Sequence, residues 1–167
     1  MQAARLLNEK EVKEVLGVIR RNYACDVEHK LKRFLFIKTS KEKIRVLTPR
    51  AYELMRKLRK ARQVMAGLYI GRLKRNAKIK LSLEGAQIVG EKAKKNVVTI
   101  DEKHLYDFLS GEDVEPKSAE NCEVNNFVIV KCKGDVIGVG ILRKKDDKFI
   151  IENLVPKARR LIYLKTA

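Results

Sequence analysis

Residues 126–142 read NFVIVKCKGDVIGVGIL. Two apolar runs, 127–130 and 136–142, flank the polar pair Gly134-Asp135, a pattern that predicts a β-hairpin. The second arm carries Gly138 and Gly140 two residues apart, so both fall on one face of the strand. Glycine weakens a strand and has no side chain to pack. A pair on one face therefore implies either a neighbour lying close against it or relief of crowding where the strand bends.

Working outward, residues 97–100 (VVTI) form a further strand. Asp101 is placed to cap a short helix from Glu102 to Leu109, and Ser110-Gly111 stops it. A polar segment containing Pro116 leads into the hairpin. Residues 148–151 (KFII) add another strand, and residues 161–164 (LIYL) are expected to add one more. Several short strands with one short helix in so few residues predict a small closed β-barrel.

The chain before it has a different pattern. Asn8, with Glu11 three residues on, is a capping signature for a helix over about residues 9–22. Residues 33–38 and 43–47 read as two short strands. Thr48-Pro49 starts a second helix, expected to run to about Val64, with Tyr52, Met55 and Leu58 on its apolar face. Its other face carries Arg56, Lys57, Arg59, Lys60 and Arg62. Strands follow around residues 68–73 and 78–81, turning at Asn76-Ala77, and Ser82 caps a last helix expected to reach about Lys95. The fold class is α+β, with a mixed α/β domain over residues 1–95 and a small barrel domain over residues 96–167.

The charge divides the chain at the same place. Lys plus Arg outnumber Asp plus Glu by 38 to 21, a formal net charge of +17. Residues 1–95 hold 26 bases and 9 acids, whereas residues 96–167 hold 12 of each, so the whole excess lies in the first domain. A dense surface of mixed charges would be balanced there too. A one-sided positive field favours a polyanion, of which nucleic acid is the commonest in a cell.

Other function classes lack their signatures. No apolar run approaches the ~18–20 residues that span a bilayer, and the charged amphipathic start MQAARLLNEKEVKEV has no signal-peptide core. Cys25, Cys122 and Cys132 are odd in number and show no CxxC spacing, which suits a reducing compartment. Cys25 and His29 share helical spacing but lack a second ligand pair, so no metal is expected. Glycine-rich nucleotide loops, nucleophile elbows and zincin motifs are absent, and His29 and His104 are the only histidines. Neither catalytic residues nor a cofactor are expected, and the protein is read as a non-enzyme of the cytoplasm, or of the nucleolus in a eukaryote.

The second domain resembles a PUA domain, the small RNA-binding barrel of pseudouridine synthases and archaeosine transglycosylases. The resemblance is carried in order by the strand and short helix ending FLSGEDV (108–114), the hairpin VIV…GDVIGVG (128–140), and the basic segment PKARR (156–160). An α/β domain before a C-terminal PUA domain is also similar to the Nip-type ribosome-biogenesis factors of archaea and eukaryotes. PUA-bearing regions of RNA cytosine methyltransferases are alternative kin. The resemblance implies RNA binding, to rRNA or tRNA, with ribosome-assembly or RNA-modification proteins as further partners and no membrane. It also implies that Gly111 lies in the loop placed against RNA.

Candidate RNA-binding residues fall into three groups. They are Arg56, Lys57, Arg59 and Lys60 on the second helix, then Arg72, Lys74, Arg75, Lys78 and Lys80 on the strand pair, then Arg143, Lys144, Lys145, Lys157, Arg159 and Arg160 in the barrel. The terminal barrel set is expected to make the specific contact and the first domain to add less selective affinity. Tyr69, Tyr106 and Tyr163 are the aromatics available for base stacking. Their small number favours recognition of backbone and shape. The competing reading is a protein-interaction adaptor, or an RNA-binding subunit of an RNA-modifying enzyme.

Overall fold

The computed structural model describes residues 4–63 and 65–162, with the side chains of residues 60 and 61 outside the description. It divides into two compact units, Met1–Lys92 and Ala93–Ala167.

The first unit is an antiparallel meander. Strands β1 (Arg5–Leu6), β2 (Leu35–Thr39), β3 (Lys43–Leu47), β4 (Leu68–Lys74) and β5 (Lys78–Leu81) pair in chain order. Helix α1 (Glu9–Tyr23) starts at the expected capping box. The Glu11 amide donates to Asn8 Oδ1 and the Asn8 amide to the Glu11 carboxylate, each at 2.9 Å. Its apolar stripe buries Val15, Leu16, Ile19 and Tyr23. The Tyr23 hydroxyl donates to the Ile79 carbonyl at 3.3 Å and the Asn22 amide to the Ala77 carbonyl at 2.8 Å, so the helix is tied to β5. Burial raises the Tyr23 phenol above its ordinary range, and it stays neutral. The short helix α2 (Glu28–Leu31) follows.

Helix α3 (Pro49–Arg56) begins where Thr48 Oγ1 accepts the Ala51 amide. The single helix expected to reach Val64 instead breaks after Arg56 and resumes as the one-turn α4 (Lys60–Gln63). Two physical causes are visible. Arg56, Lys57 and Arg59 crowd one stretch with no acid beyond Glu53, and like charges at helical spacing oppose the turn. Leu58, expected on the buried face, is 44% exposed, leaving Met55 as the helix's buried anchor. Helix α5 (Leu83–Gly90) also ends earlier than expected, because the following EKAKK offers little apolar surface to bury.

The second unit is a four-stranded sheet in the order β6 (Val97–Thr99), β7 (Phe127–Cys132), β8 (Asp135–Lys145), β9 (Lys148–Asn153), with helix α6 (Leu105–Leu109). Strands β6 and β7 run parallel and the other pairs antiparallel. Val114 bridges to Ile151 on β9, and Ser118 bridges to Thr99 on β6. A single short segment therefore joins the two edges of the sheet and closes the ring, giving the expected barrel. The hairpin turns at Lys133-Gly134, with φ of 49° and 84°, one residue earlier than the sequence pattern suggests. Asp101 makes no side-chain cap bond. Leu161 and Ile162 lie outside any strand, and the remaining two residues of the expected last strand lie outside the described residues.

The glycine pair of β8 answers to packing within the barrel. A β-carbon on Gly138 would sit 2.7 Å from Cε1 of Phe108, the wholly buried residue of α6, and 3.0 Å from Val155. One on Gly140 would sit 2.6 Å from Ile151 and 2.7 Å from the Glu152 carbonyl. The close neighbours are the short helix and the next strand. Gly138→Ala and Gly140→Ala should each cost about 1–3 kcal/mol through overpacking, read as a lower urea midpoint with an unchanged slope. An unchanged midpoint would show that Phe108 and Ile151 can yield.

Candidate nucleic-acid interface

The five-stranded sheet has two unlike faces. One carries Phe36, Ile44, Val46, Ile70, Ile79 and Leu81, all buried. The other begins as apolar, where Ile37 and Leu47 pack with Met55 of α3 and with Leu35, Ala51, Tyr52 and Ala66. Beyond that cover it turns cationic. Lys43 and Arg45 alternate on β3, Arg72 and Lys74 on β4, and Lys78 and Lys80 on β5. The register sets Lys43 opposite Arg72, Arg72 opposite Lys80, and Lys74 opposite Lys78. Neighbouring strands lie ~4.8 Å apart, so these are close like-charge pairs, which destabilise a sheet unless an anion intervenes. Among the described residues none of the six forms a salt bridge, while eight ion pairs form elsewhere.

Tyr69 stands within this face. It is opposite Arg45, whose guanidinium carbon lies 5.5 Å from the ring centroid, and Lys43 Nζ lies 5.8 Å away. Arg45 is held by Nη1, which donates to the Gly67 carbonyl at 3.1 Å. Partial burial raises the Tyr69 phenol, against the lowering influence of Arg72 and Arg45. Lys80 is shifted down by burial first, then by the charges of Lys74 and Arg72. The Nε atoms of Arg45 and Arg72 are enclosed and have no hydrogen-bond acceptor among the described residues.

A β-bulge places Tyr69 and Arg72 on one face. Tyr69 pairs with Arg45 and Gly71 with Ile44, which leaves Ile70 as the extra residue of β4. Without it, residues 69 and 72 would point to opposite faces. The bulge is held by Ser82. Its amide donates to the Ile70 carbonyl at 2.9 Å, and its hydroxyl lies between the carbonyls of Tyr69 (2.5 Å) and Ile70 (3.0 Å). The same oxygen accepts the Gly85 amide at 2.9 Å, capping α5. Gly85 is seated against the Ile70 carbonyl so closely that a β-carbon there would collide with it.

The other sequence-derived candidates are dispersed. Arg56, Lys57 and Arg59 are exposed around the break between α3 and α4, Arg75 is exposed in the β4–β5 turn, and the Lys60 side chain lies outside the described residues. In the second unit, Arg143 is engaged by Glu152 at 2.8 Å and by Asn125 at 3.0 Å. Lys144 lies 5.9 Å from the Phe149 ring, and Lys145 follows at the strand end. Lys157 and Arg159 belong to an exposed 3₁₀ turn. Arg160 packs directly over Gly111, whose φ is +101°, and donates from Nε to the Val155 carbonyl at 2.9 Å; the Leu161 amide donates to Leu109 at 2.9 Å. Arg160 thus clasps the 155–161 segment to the loop after α6.

Lys43 and Arg45 were not among the sequence candidates. Their alternation in KIRVL was legible, but only the strand register joins them to Arg72 and Lys80. Among the described residues no group of His, Cys, Asp and Glu could hold a metal ion, and no helix is long and apolar enough to cross a membrane.

No protein-family model and no curated protein matches the sequence. Solved structures do match. A conserved PUA domain protein from Thermoplasma acidophilum superposes with a TM-score of 0.58 at 16% identity, covering 99% of this chain and 95% of that one. A hypothetical protein from the hyperthermophilic archaeon Pyrococcus horikoshii gives 0.52 at 16% identity, covering 83% of this chain and 80% of that one. The likeness shows the fold, an α+β chain with a PUA-like barrel.

The bulge clamp has a test of unusual sign. Alanine normally stabilises a helix over glycine by about 1 kcal/mol, and Gly17→Ala in α1, with nothing within 4 Å of the added carbon, should do so. Gly85→Ala should instead destabilise by about 1–3 kcal/mol, because the clash with the Ile70 carbonyl outweighs propensity. Chemical denaturation of the two variants side by side reads both signs.

Proposed function

We propose that the protein is a non-catalytic RNA-binding factor of ribosome biogenesis or of rRNA or tRNA modification, with no cofactor or metal. It grips RNA phosphates on the cationic face of the first unit. The PUA-like barrel adds a second contact through Lys144, Lys145, Lys157 and Arg159, with Gly111 and Arg160 shaping the adjoining loop. The observation that carries this reading is the cross-strand row Lys43, Arg72 and Lys80, continued by Lys74 and Lys78, which has no salt-bridge partner among the described residues. Such a row is costly to a bare sheet and complementary to a polyphosphate backbone. The PUA domain named for the Thermoplasma neighbour supports RNA as the polyanion.

A second reading, an adaptor or the RNA-binding subunit of an RNA-modifying enzyme such as a cytosine methyltransferase, draws support from the charge division. The balanced residues 96–167 suit a protein partner better than the first unit does. It predicts that residues 1–95 retain the full RNA affinity when the rest is deleted, whereas the first reading predicts loss of the barrel's share.

Binding to structured rRNA or tRNA should weaken steeply with salt. Five neutralised phosphates give a log–log slope of roughly −3 to −5. Arg72→Ala with Lys74→Ala should flatten that slope by about 1–2, measured by filter binding across a salt series. A salt-independent affinity, or a slope untouched by the double variant, would overturn the assignment to this face.

A further inference from the structure

Resting on the RNA-binding reading, we propose that Tyr69 is a stacking site for one unpaired nucleotide. Its ring would stack the base while Arg72 and Lys80 hold the adjoining phosphates.

The placement of the ring carries this. Tyr69 is the aromatic residue on the exposed part of the sheet face and is only partly buried, so the hydrophobic core does not account for its position. Packing under α3 ends before it, since that cluster runs through Ile37, Leu47 and Met55. Two cations lie within 6 Å of its centroid, and the Arg45 guanidinium is fixed there by the Gly67 carbonyl. The Arg45 guanidinium lies over the half-buried ring, and an aromatic ring and a guanidinium plane are both surfaces on which a base stacks, each contact being indifferent to base identity. The row Lys43, Arg72, Lys80 crosses three strands next to the ring, so a phosphate chain running across the strands would bring a base to Tyr69. Bases within a duplex are stacked on each other and cannot present a free face. The ligand is therefore a single-stranded stretch, a loop or a bulge in RNA.

The bulge at Ile70 gives an independent reason. A regular strand would leave residue 69 on the core face if Arg72 kept its place. The chain inserts a residue, and braces it with Ser82, in a way that brings the aromatic to the cations.

Three fluorescent RNA probes of equal length test the proposal by anisotropy at one moderate salt concentration: a single-stranded oligoadenylate, an abasic strand with the same phosphates, and a blunt duplex. The full-length protein should bind oligoadenylate about tenfold tighter than the abasic strand. Tyr69→Ala should erase that preference, and Tyr69→Phe should keep it. Tyr69→Leu, which fills the space without a π-face, should behave as Tyr69→Ala and serves where the alanine variant fails to fold. Equal binding of the oligoadenylate and abasic strands by the unmodified protein would overturn base stacking, as would equal loss on both in Tyr69→Leu; gripping of phosphates would stand. Failure to bind any of the three probes would remove the RNA-binding reading along with it.

Discussion

The first unit depends on one hydroxyl. Ser82 Oγ meets the Tyr69 and Ile70 carbonyls and the Gly85 amide, so a single side chain ends β5, starts α5 and braces the bulge of β4. Each of these roles is ordinary, since serine is a good helix cap and bulges need outside partners for their unpaired groups. Their combination means that the helix on one face of the sheet fixes which residues stand on the other. The core and the cationic face are two consequences of one register.

Much of this was legible beforehand. Capping signatures located α1, α3 and α5 because they are local: Asn8 with Glu11, Thr48 with Pro49, and Ser82 each act within a few residues. Helix ends were less legible, because an end depends on where burial stops. The crowded charges of Arg56-Lys57-Leu58-Arg59 are visible in the sequence, but the 44% exposure of Leu58 is not. The α+β class and the barrel followed from strand count and the hairpin, but its closure through Val114 and Ser118 rests on two bridges between segments far apart in the chain. The candidate site was half visible. Arg72, Lys74, Lys78 and Lys80 stood out as a charged hairpin, whereas Lys43 and Arg45 joined them only through pairing across β3 and β4.

Glycine at two places in the barrel illustrates how one residue type serves different ends. Gly138 and Gly140 make room for Phe108 and Ile151, which is a matter of packing density. Gly111 accepts the aliphatic and guanidinium surface of Arg160 over its bare backbone at a positive φ. Arg160 is thereby a structural residue as well as a charged one, and its loss would release the segment that follows β9.

The cationic row has a consequence for association. β5 is the outermost strand of its sheet, and an outer strand's backbone can pair with another extended chain where it is not already covered, as the Ile79 carbonyl is by Tyr23 of α1. Lys78 and Lys80 lie on it and Arg75 in the turn before it, so two copies of this protein approaching edge to edge would bring like charges together. The same lysines that suit a polyanion thus guard the sheet against growing by strand addition. The share of that protection owed to charge lasts only while the lysines are unneutralised.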